Sequence, residues 1–440
     1  MKKKLKKWGK VIIYNLVVVF LIFAAIEWYL NSKLNNPESC PKWLFEALKD
    51  YHQEQDWNII QMNPNCAHYD STLFYVLNSG SFTFEDREFS TTYDVNSAGM
   101  RDDEESLNQP KVIVLGDSYA MGWGVEQEET FAQLLENQLG TKVLNSAISS
   151  YCTAREIHAL SKVNTDSLAY LIIQYCPNDI GENKQYIFSN HSLHVSSPEI
   201  YKESSKAHMN RSGYYFLKHV LNIPSYLGEK DVVKATGPVK LSEVDKINAE
   251  KAFLDIIRDS PHIPATTKII VFNIEAERSA NYFITKVKEW LDKEFTSSLN
   301  DRISFIDFTG KIDSSHRFLL DPHLNAKGHV VIANEIISHI NQPDTSSKYK
   351  EWKYDNGSKS VTCQYQNGLK HGEMLCYWQS GVVSRVCNYV NGVKEGKQID
   401  FSVSGIKVNE KSYHLDELDG WSIEYDSIGS PTDSTFYQYQ

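Results

Sequence analysis

The chain has 440 residues and a formal net charge of −11. Its length predicts more than one domain with a sizeable buried core. The acidic balance, with no basic patch beyond the first ten residues, excludes a nucleic-acid binder.

The first predicted element is a membrane span. "MKKKLKKWGK" carries six lysines in ten residues (1–10, a basic tail). "VIIYNLVVVFLIFAAIEWYL" (11–30) follows, with only Asn15 and Glu27 as strongly polar interruptions. Twenty residues at the helical rise span about 30 Å, the thickness of a bilayer's hydrocarbon core. Lysines before the span predict a cytoplasmic N-terminus and an external body, periplasmic or extracellular. A cleaved signal peptide is the rival reading. The long apolar run and the missing Ala-x-Ala site favour a retained single-pass anchor. Cys40 lies too far from the span for a lipoprotein anchor. The seven cysteines (40, 66, 152, 176, 363, 376, 387) would then lie where disulfides are permitted, and an odd count leaves at least one thiol. None has zinc-type spacing, and the sequence calls for no metal or cofactor.

Residues 31–110 read as an extension with hairpins, from the aromatic alternation in "STLFYVLNSGSFTFEDREFSTTYDV". From 111 the pattern becomes regular. Apolar strand-like runs at 111–115, 142–148, 168–175, 268–274 and 302–308 alternate with helix-like stretches such as 127–139, 153–163 and 281–295. This predicts an α/β domain over 111–340, a five-stranded parallel sheet covered by helices on both faces. The stretch 183–250 is an insertion after the third strand, placed to shape a pocket or a lid. Residues 341–352 read as a linker. Beyond it, glycines recur every 24 residues, at 357, 381, 405 and 429 and again at 372, 396 and 420. "YQNGLKHGE" and "YVNGVKEGK" are two copies of one unit with an Asn-Gly turn, so 353–440 is predicted to be stacked β-hairpins. This tail resembles bacterial MORN-type repeat modules, which implies a protein partner at the repeats.

In such parallel sheets ligands bind beyond the carboxyl ends of the strands. The first predicted strand ends in Gly116-Asp117-Ser118, a combination equally at home in an ordinary turn or beneath an exposed nucleophile. The second ends in "NSAISSYCTARE" with a small-residue turn at Ser149-Ser150. The third ends in "YCPNDIGEN", bringing Asn178 and Asp179, and the fifth is followed by "FLLDPHLNAKGH", bringing Asp321 and His323. A hydroxyl, backbone donors, an amide and an Asp/His pair at four strand ends form the set that acyl chemistry requires.

These blocks, with the upstream "VNSAGMRDDE" (95–104), resemble the SGNH/GDSL hydrolase family over about residues 60–340. The resemblance implies a flavodoxin-like three-layer α/β/α fold with Ser118 as nucleophile and His323 as base. It also implies an oxyanion hole of the Ser118 and Ser150 backbone N–H groups and the Asn178 amide. Two departures stand out. Ser150 occupies a position where the family usually has Gly, and Leu320 occupies the usual acid position, leaving Asp321, two before the histidine, to orient the base. Asp117 is expected to brace its loop and His329 to be structural. The topology also implies that Cys152 and Cys176 lie close enough for a bridge, set against the reading of both as small buried hydrophobes. In the tail, Cys376 is a better partner for Cys363 or Cys387 than these are for each other.

Three functions compete. One is an esterase cleaving an acyl ester, such as acetyl, on a cell-envelope carbohydrate or lipid. The second is an O-acyltransferase using the same site. The third is a catalytically inactive binding protein that works through its repeats.

Overall fold

The computed structural model describes residues 2–228, 242–274, 277–295, 299–300, 302–341, 350–366, 369–390, 393–414 and 416–438. The predicted linker lies mostly outside these, as do the Asn-Gly pairs at 367–368 and 391–392 and part of the 183–250 insertion. The chain forms two compact units, residues 1–294 with 304–338, and 295–303 with 339–440.

The first unit begins with α1 (Lys2–Asn35), whose 28 residues from Trp8 to Asn35 are long and apolar enough to cross a membrane. The end of α1 is not surrounded by solvent. Leu30 and Leu34 pack with Leu44 and Leu48 of α2 (Lys42–Tyr51) and with Ile223 and Leu320. Two antiparallel hairpins follow, β1 (Ala67–Asp70) with β2 (Phe74–Leu77) and β3 (Gly80–Asp86) with β4 (Phe89–Val95).

Next comes the predicted sheet. Strands β5 (Val112–Leu115), β6 (Val143–Asn145), β7 (Tyr170–Gln174), β8 (Lys268–Asn273) and β9 (Ile303–Asp307) stand in the order β6-β5-β7-β8-β9. The pairings of β5 with β6 and β7, and of β7 with β8, are parallel. Every residue of β5 and β6 is buried, as the unbroken apolar runs require of a sheet covered on both faces. The order reverses between β5 and its two neighbours, and in sheets of this kind ligands bind at such a reversal, beyond the strand ends. Around the sheet lie α3 (Ser118–Met121), α4 (Phe131–Leu139), α5 (Thr153–Ala159), α6 (Asp179–Phe188), α7 (Pro198–Ser212), α8 (Lys218–Asn222), α9 (Ala249–Arg258), α10 (Glu277–Glu294) and α11 (Ala326–Asn341).

The insertion therefore holds helices, and α7 packs on the extension. Tyr201 donates to the Gln61 carbonyl at 3.0 Å, Ser205 donates to the Met62 carbonyl at 2.7 Å, and His208 accepts from the Ile59 N–H at 3.0 Å.

In the second unit eight antiparallel strands, β10 (Lys350–Lys353) to β17 (Pro431–Tyr437), follow one another in sequence order. Hairpin turns close at Gly357, Gly381, Gly405 and Gly429, each at φ between 81° and 85°, which is why the 24-residue period falls on glycine. Cys363 and Cys387 both stand opposite Met374, while Cys376 faces Val361 and Arg385. No tail cysteine is disulfide-bonded, because the register sets another residue opposite each of them.

Candidate active site

The end of β5 is shaped by Gly116. At φ +152 its Cα lies so close to neighbours that a Cβ would meet Ala120 at 2.6 Å and the Gln174 amide oxygen at 2.9 Å. The chain then turns into α3, which Asp117 caps by accepting from the Tyr119 N–H at 3.1 Å. Ser118 is thereby the first residue of a helix. Its backbone N–H belongs to the first-turn donors that have no intrahelical acceptor. Its Oγ lies 2.6 Å from His323 Nε2.

His323 is held from several directions. Asp321 Oδ1 accepts from its Nδ1–H at 2.5 Å and from its backbone N–H at 2.8 Å. The second bond closes a side-chain turn from Asp to the N–H two residues on, so an acid two before the histidine can orient it. A carboxylate only accepts, which puts the imidazole proton on Nδ1 and leaves Nε2 to accept from the serine hydroxyl. Asp321 Oδ2 in turn accepts from the indole N–H groups of Trp57 and Trp123, each at 2.9 Å. Burial works against the Asp321 charge, yet the charge of His323 and its hydrogen bonds to the carboxylate hold its pKa below the ordinary carboxylate range. Trp123 also stacks on the His323 ring, with centroids 4.7 Å apart at 15°.

The loop of Asp321 is fixed by the extension. Glu88 accepts from the backbone N–H groups of Leu319, Leu320 and Asp321 at 2.7–3.0 Å, and Gln53 donates to the Leu320 carbonyl at 2.7 Å. Arg101, buried and stacked 3.7 Å over Tyr93, donates to the carbonyls of Gly122 and Val125 on either side of Trp123.

The end of β6 carries Ser150 in a turn closed by the Tyr151 N–H donating to the Ile148 carbonyl at 3.1 Å. Ser150 has φ +60, the left-handed region where glycine is favoured, so the serine adopts the backbone that the missing glycine would have given. Gln61 donates to its Oγ at 3.0 Å, and Tyr75 donates to the Ser149 carbonyl at 2.7 Å. At the end of β7 the Asn178 amide is exposed and donates to Asp117 Oδ2 at 3.4 Å. Asp117 is fully buried and burial pushes its pKa up. It braces the loops of Ser118 and Asn178.

The Cys152–Cys176 bridge is not formed. The Cys176 thiol hydrogen-bonds to the Asp117 carboxylate instead, so its side chain is directed to a different partner. His329 accepts from the Phe131 N–H at 3.1 Å and burial lowers its pKa to about 3, a neutral structural role.

His52, Asp86 and Asp321 bring one ligand atom each within 4.8 Å of one another. Both Asp321 oxygens are already engaged by His323, Trp57 and Trp123, so the trio does not offer a cation a full set of donors. Sequence reasoning missed Trp57, Trp123, Glu88, Gln53 and Gln61. The one local signal was Trp123 in the glycine-flanked "MGWGV" five residues after Ser118.

No family model matches the sequence, and no curated protein matches it. Among solved structures, the chain is similar to one assigned to the G-D-S-L family of lipolytic proteins from Desulfitobacterium hafniense DCB-2. That pair shares 13% identity at a TM-score of 0.26, covering 52% of this chain and 97% of that one. A carbohydrate esterase family 2 enzyme with a carbohydrate-binding domain, from Corynascus thermopiles, shares 15% identity at a TM-score of 0.29. It covers 53% of this chain and 66% of that one.

Proposed function

We propose that the chain is a serine esterase of SGNH/GDSL type. The observation that carries this reading is the unbroken line Ser118 Oγ, His323 Nε2, His323 Nδ1, Asp321 Oδ1, with bonds of 2.6 and 2.5 Å. A serine hydroxyl becomes an effective nucleophile when an imidazole takes its proton, and a carboxylate holds the tautomer that can do so. Ser118 Oγ attacks the ester carbonyl carbon while its proton passes to His323 Nε2. The tetrahedral oxyanion is met by the Ser118 and Ser150 N–H groups and the Asn178 amide. Loss of one such donor typically costs about 10²–10³ in turnover. The adduct collapses as His323 returns the proton to the leaving alcohol, leaving an acyl group on Ser118. Water, deprotonated by His323, then releases the acid and restores the hydroxyl.

The lysine-flanked α1 supports a single-pass anchor with its N-terminus in the cytoplasm and its body outside. That placement favours an acyl ester, such as acetyl, on an envelope carbohydrate or lipid, with the repeat tail as a docking module for a protein partner. The test is turnover of short-chain aryl esters and acetylated glycans by the full-length protein. Ser118→Ala and His323→Ala are each expected to lose on the order of 10⁴-fold or more in kcat while keeping the thermal midpoint. Turnover that survives Ser118→Ala overturns the assignment. Added acceptor sugar separates hydrolysis, which gives free acid, from transfer to the sugar.

A further inference from the structure

Glu27 is the one acidic residue in the apolar stretch of α1, and ionisable groups at that depth are costly unless they are partnered. It is partnered here by α8. The Glu27 carboxylate lies 2.9 Å from His219 Nδ1 and accepts from the backbone N–H groups of His219 and Val220 at 3.3 and 2.9 Å. Lys218, also buried, reaches back to Asp56 at 2.7 Å and ties α8 to the body.

The residues just before α8 behave in the opposite way. Tyr214, Tyr215 and Phe216 are 62%, 48% and 53% exposed, and Leu221 on α8 is 67% exposed. Four large apolar or amphipathic side chains stand outward within eight residues whose polar members, Lys218 and His219, are buried. Phe216 moreover stacks on Phe20 of α1, centroids 5.4 Å apart. Phe20 lies seven residues before Glu27, about 10 Å further along the helix toward its N-terminus.

We propose that the segment 214–221 is a second membrane contact, a wedge that dips into the bilayer leaflet on the body's side, alongside α1. The occupant of this apolar face is lipid, because the face is continuous with a helix long and apolar enough to span. With Glu27 at the hydrocarbon boundary, about twenty residues back along α1 reach Trp8, the full core thickness. Phe216 then sits about 10 Å below the boundary, the depth reached by interfacial apolar elements. Tyr214 and Tyr215 stand above it at headgroup level, where tyrosine is favoured. The body would thus be docked on the membrane rather than tethered to it. Leu30 and Leu34 share one apolar cluster with Leu320, beside Asp321, so the bilayer-side packing runs directly into the loop of the proposed active site.

This inference rests on the reading of α1 as an anchor, and its test separates the two. The full-length protein is reconstituted into nanodiscs of phosphatidylcholine and phosphatidylglycerol with the photocrosslinker p-benzoylphenylalanine at position 216, 221, 19 or 166, one at a time. Position 19 reports the span, and the exposed Asp166 reports water. Both positions 216 and 221 are more than half exposed, and p-benzoylphenylalanine at 216 keeps a phenyl ring where Phe216 stacks on Phe20. Lipid adducts at 216 and 221 in yields approaching that at 19, and at least five-fold above 166, support the docked wedge. Lipid adducts at 19 with only the 166 level at 216 and 221 overturn the wedge and leave the anchor standing. Protein–protein adducts at 216 in place of lipid also overturn it. Absence of lipid adducts at 19 removes both readings.

Discussion

Asp321 is the residue on which the proposed site converges: each of its oxygens is committed, one to His323 and one to two tryptophans. A hydrogen bond to a charged group is worth about 1.5–3 kcal/mol. Trp57→Phe removes one donor while keeping most of the ring, and it should lower kcat about ten-fold with little change in KM. Equal values for the variant and the wild type would show that Trp57 does not position the acid. The Ser150 turn is open to a similar test. A left-handed backbone costs a non-glycine residue on the order of 1 kcal/mol, so Ser150→Gly should keep activity and match or exceed wild-type stability. Ser150→Pro, which fixes φ near −65°, should abolish turnover. Comparable kinetics for the two variants would contradict the role given to this turn. Asp86 supplies a third. Burial raises its pKa to about 8, against about 3.8 for an ordinary aspartate, so between these pH values the folded state holds a proton that the unfolded state releases. Stability contributed by that proton falls as pH rises from about 4 to about 8, by up to about 1.4 kcal/mol per unit. Asp86→Asn should flatten that fall in thermal midpoints taken at pH 5 and pH 8; an unchanged slope would assign it elsewhere. Ser118, His323 and Asp321 were legible in the sequence because their chemistry sits in short motifs at strand ends. Trp57 was not: it reaches Asp321 across 264 residues of chain, and no local pattern marks such a contact.

At the scale of elements, periodicity read well wherever burial is one-sided or complete. The five strands of the parallel sheet fall within the predicted apolar runs, since a strand covered on both faces has no polar positions to blur it. The 24-residue glycine period marks turns that demand positive φ, and the tail strands follow from it. The 183–250 insertion was opaque because α7 is held by the extension, through Gln61, Met62 and Ile59, and α8 by Glu27 of α1, rather than by a strong pattern of their own. The Cys152–Cys176 pairing failed for a related reason: side-chain direction is not inferable from sequence, and the Asp117 carboxylate takes the Cys176 thiol. Every site contact described above is made within residues 1–294 and 304–338. A protein ending at residue 341 should therefore keep turnover within about two-fold of the full chain. A loss beyond ten-fold would show that the repeats contribute to the reaction.

For the whole molecule, the parts that the sequence presents as separate work together. The extension between the apolar helix and the sheet supplies Trp57, Glu88 and Gln53 to the loop of Asp321, and Gln61 to the turn of Ser150. The helix that would anchor the chain ends in the cluster that packs Leu320. What a linear reading divides into anchor, spacer and catalytic domain is one packed body up to the repeats. The central claim is that this body activates Ser118. It is tested most directly by treating the full-length protein with a fluorophosphonate and mapping the adduct by peptide mass spectrometry. One stoichiometric adduct on Ser118 is expected, formed at least 100-fold more slowly in His323→Ala. An unmodified Ser118, or labelling that persists undiminished in Ser118→Ala, would contradict it.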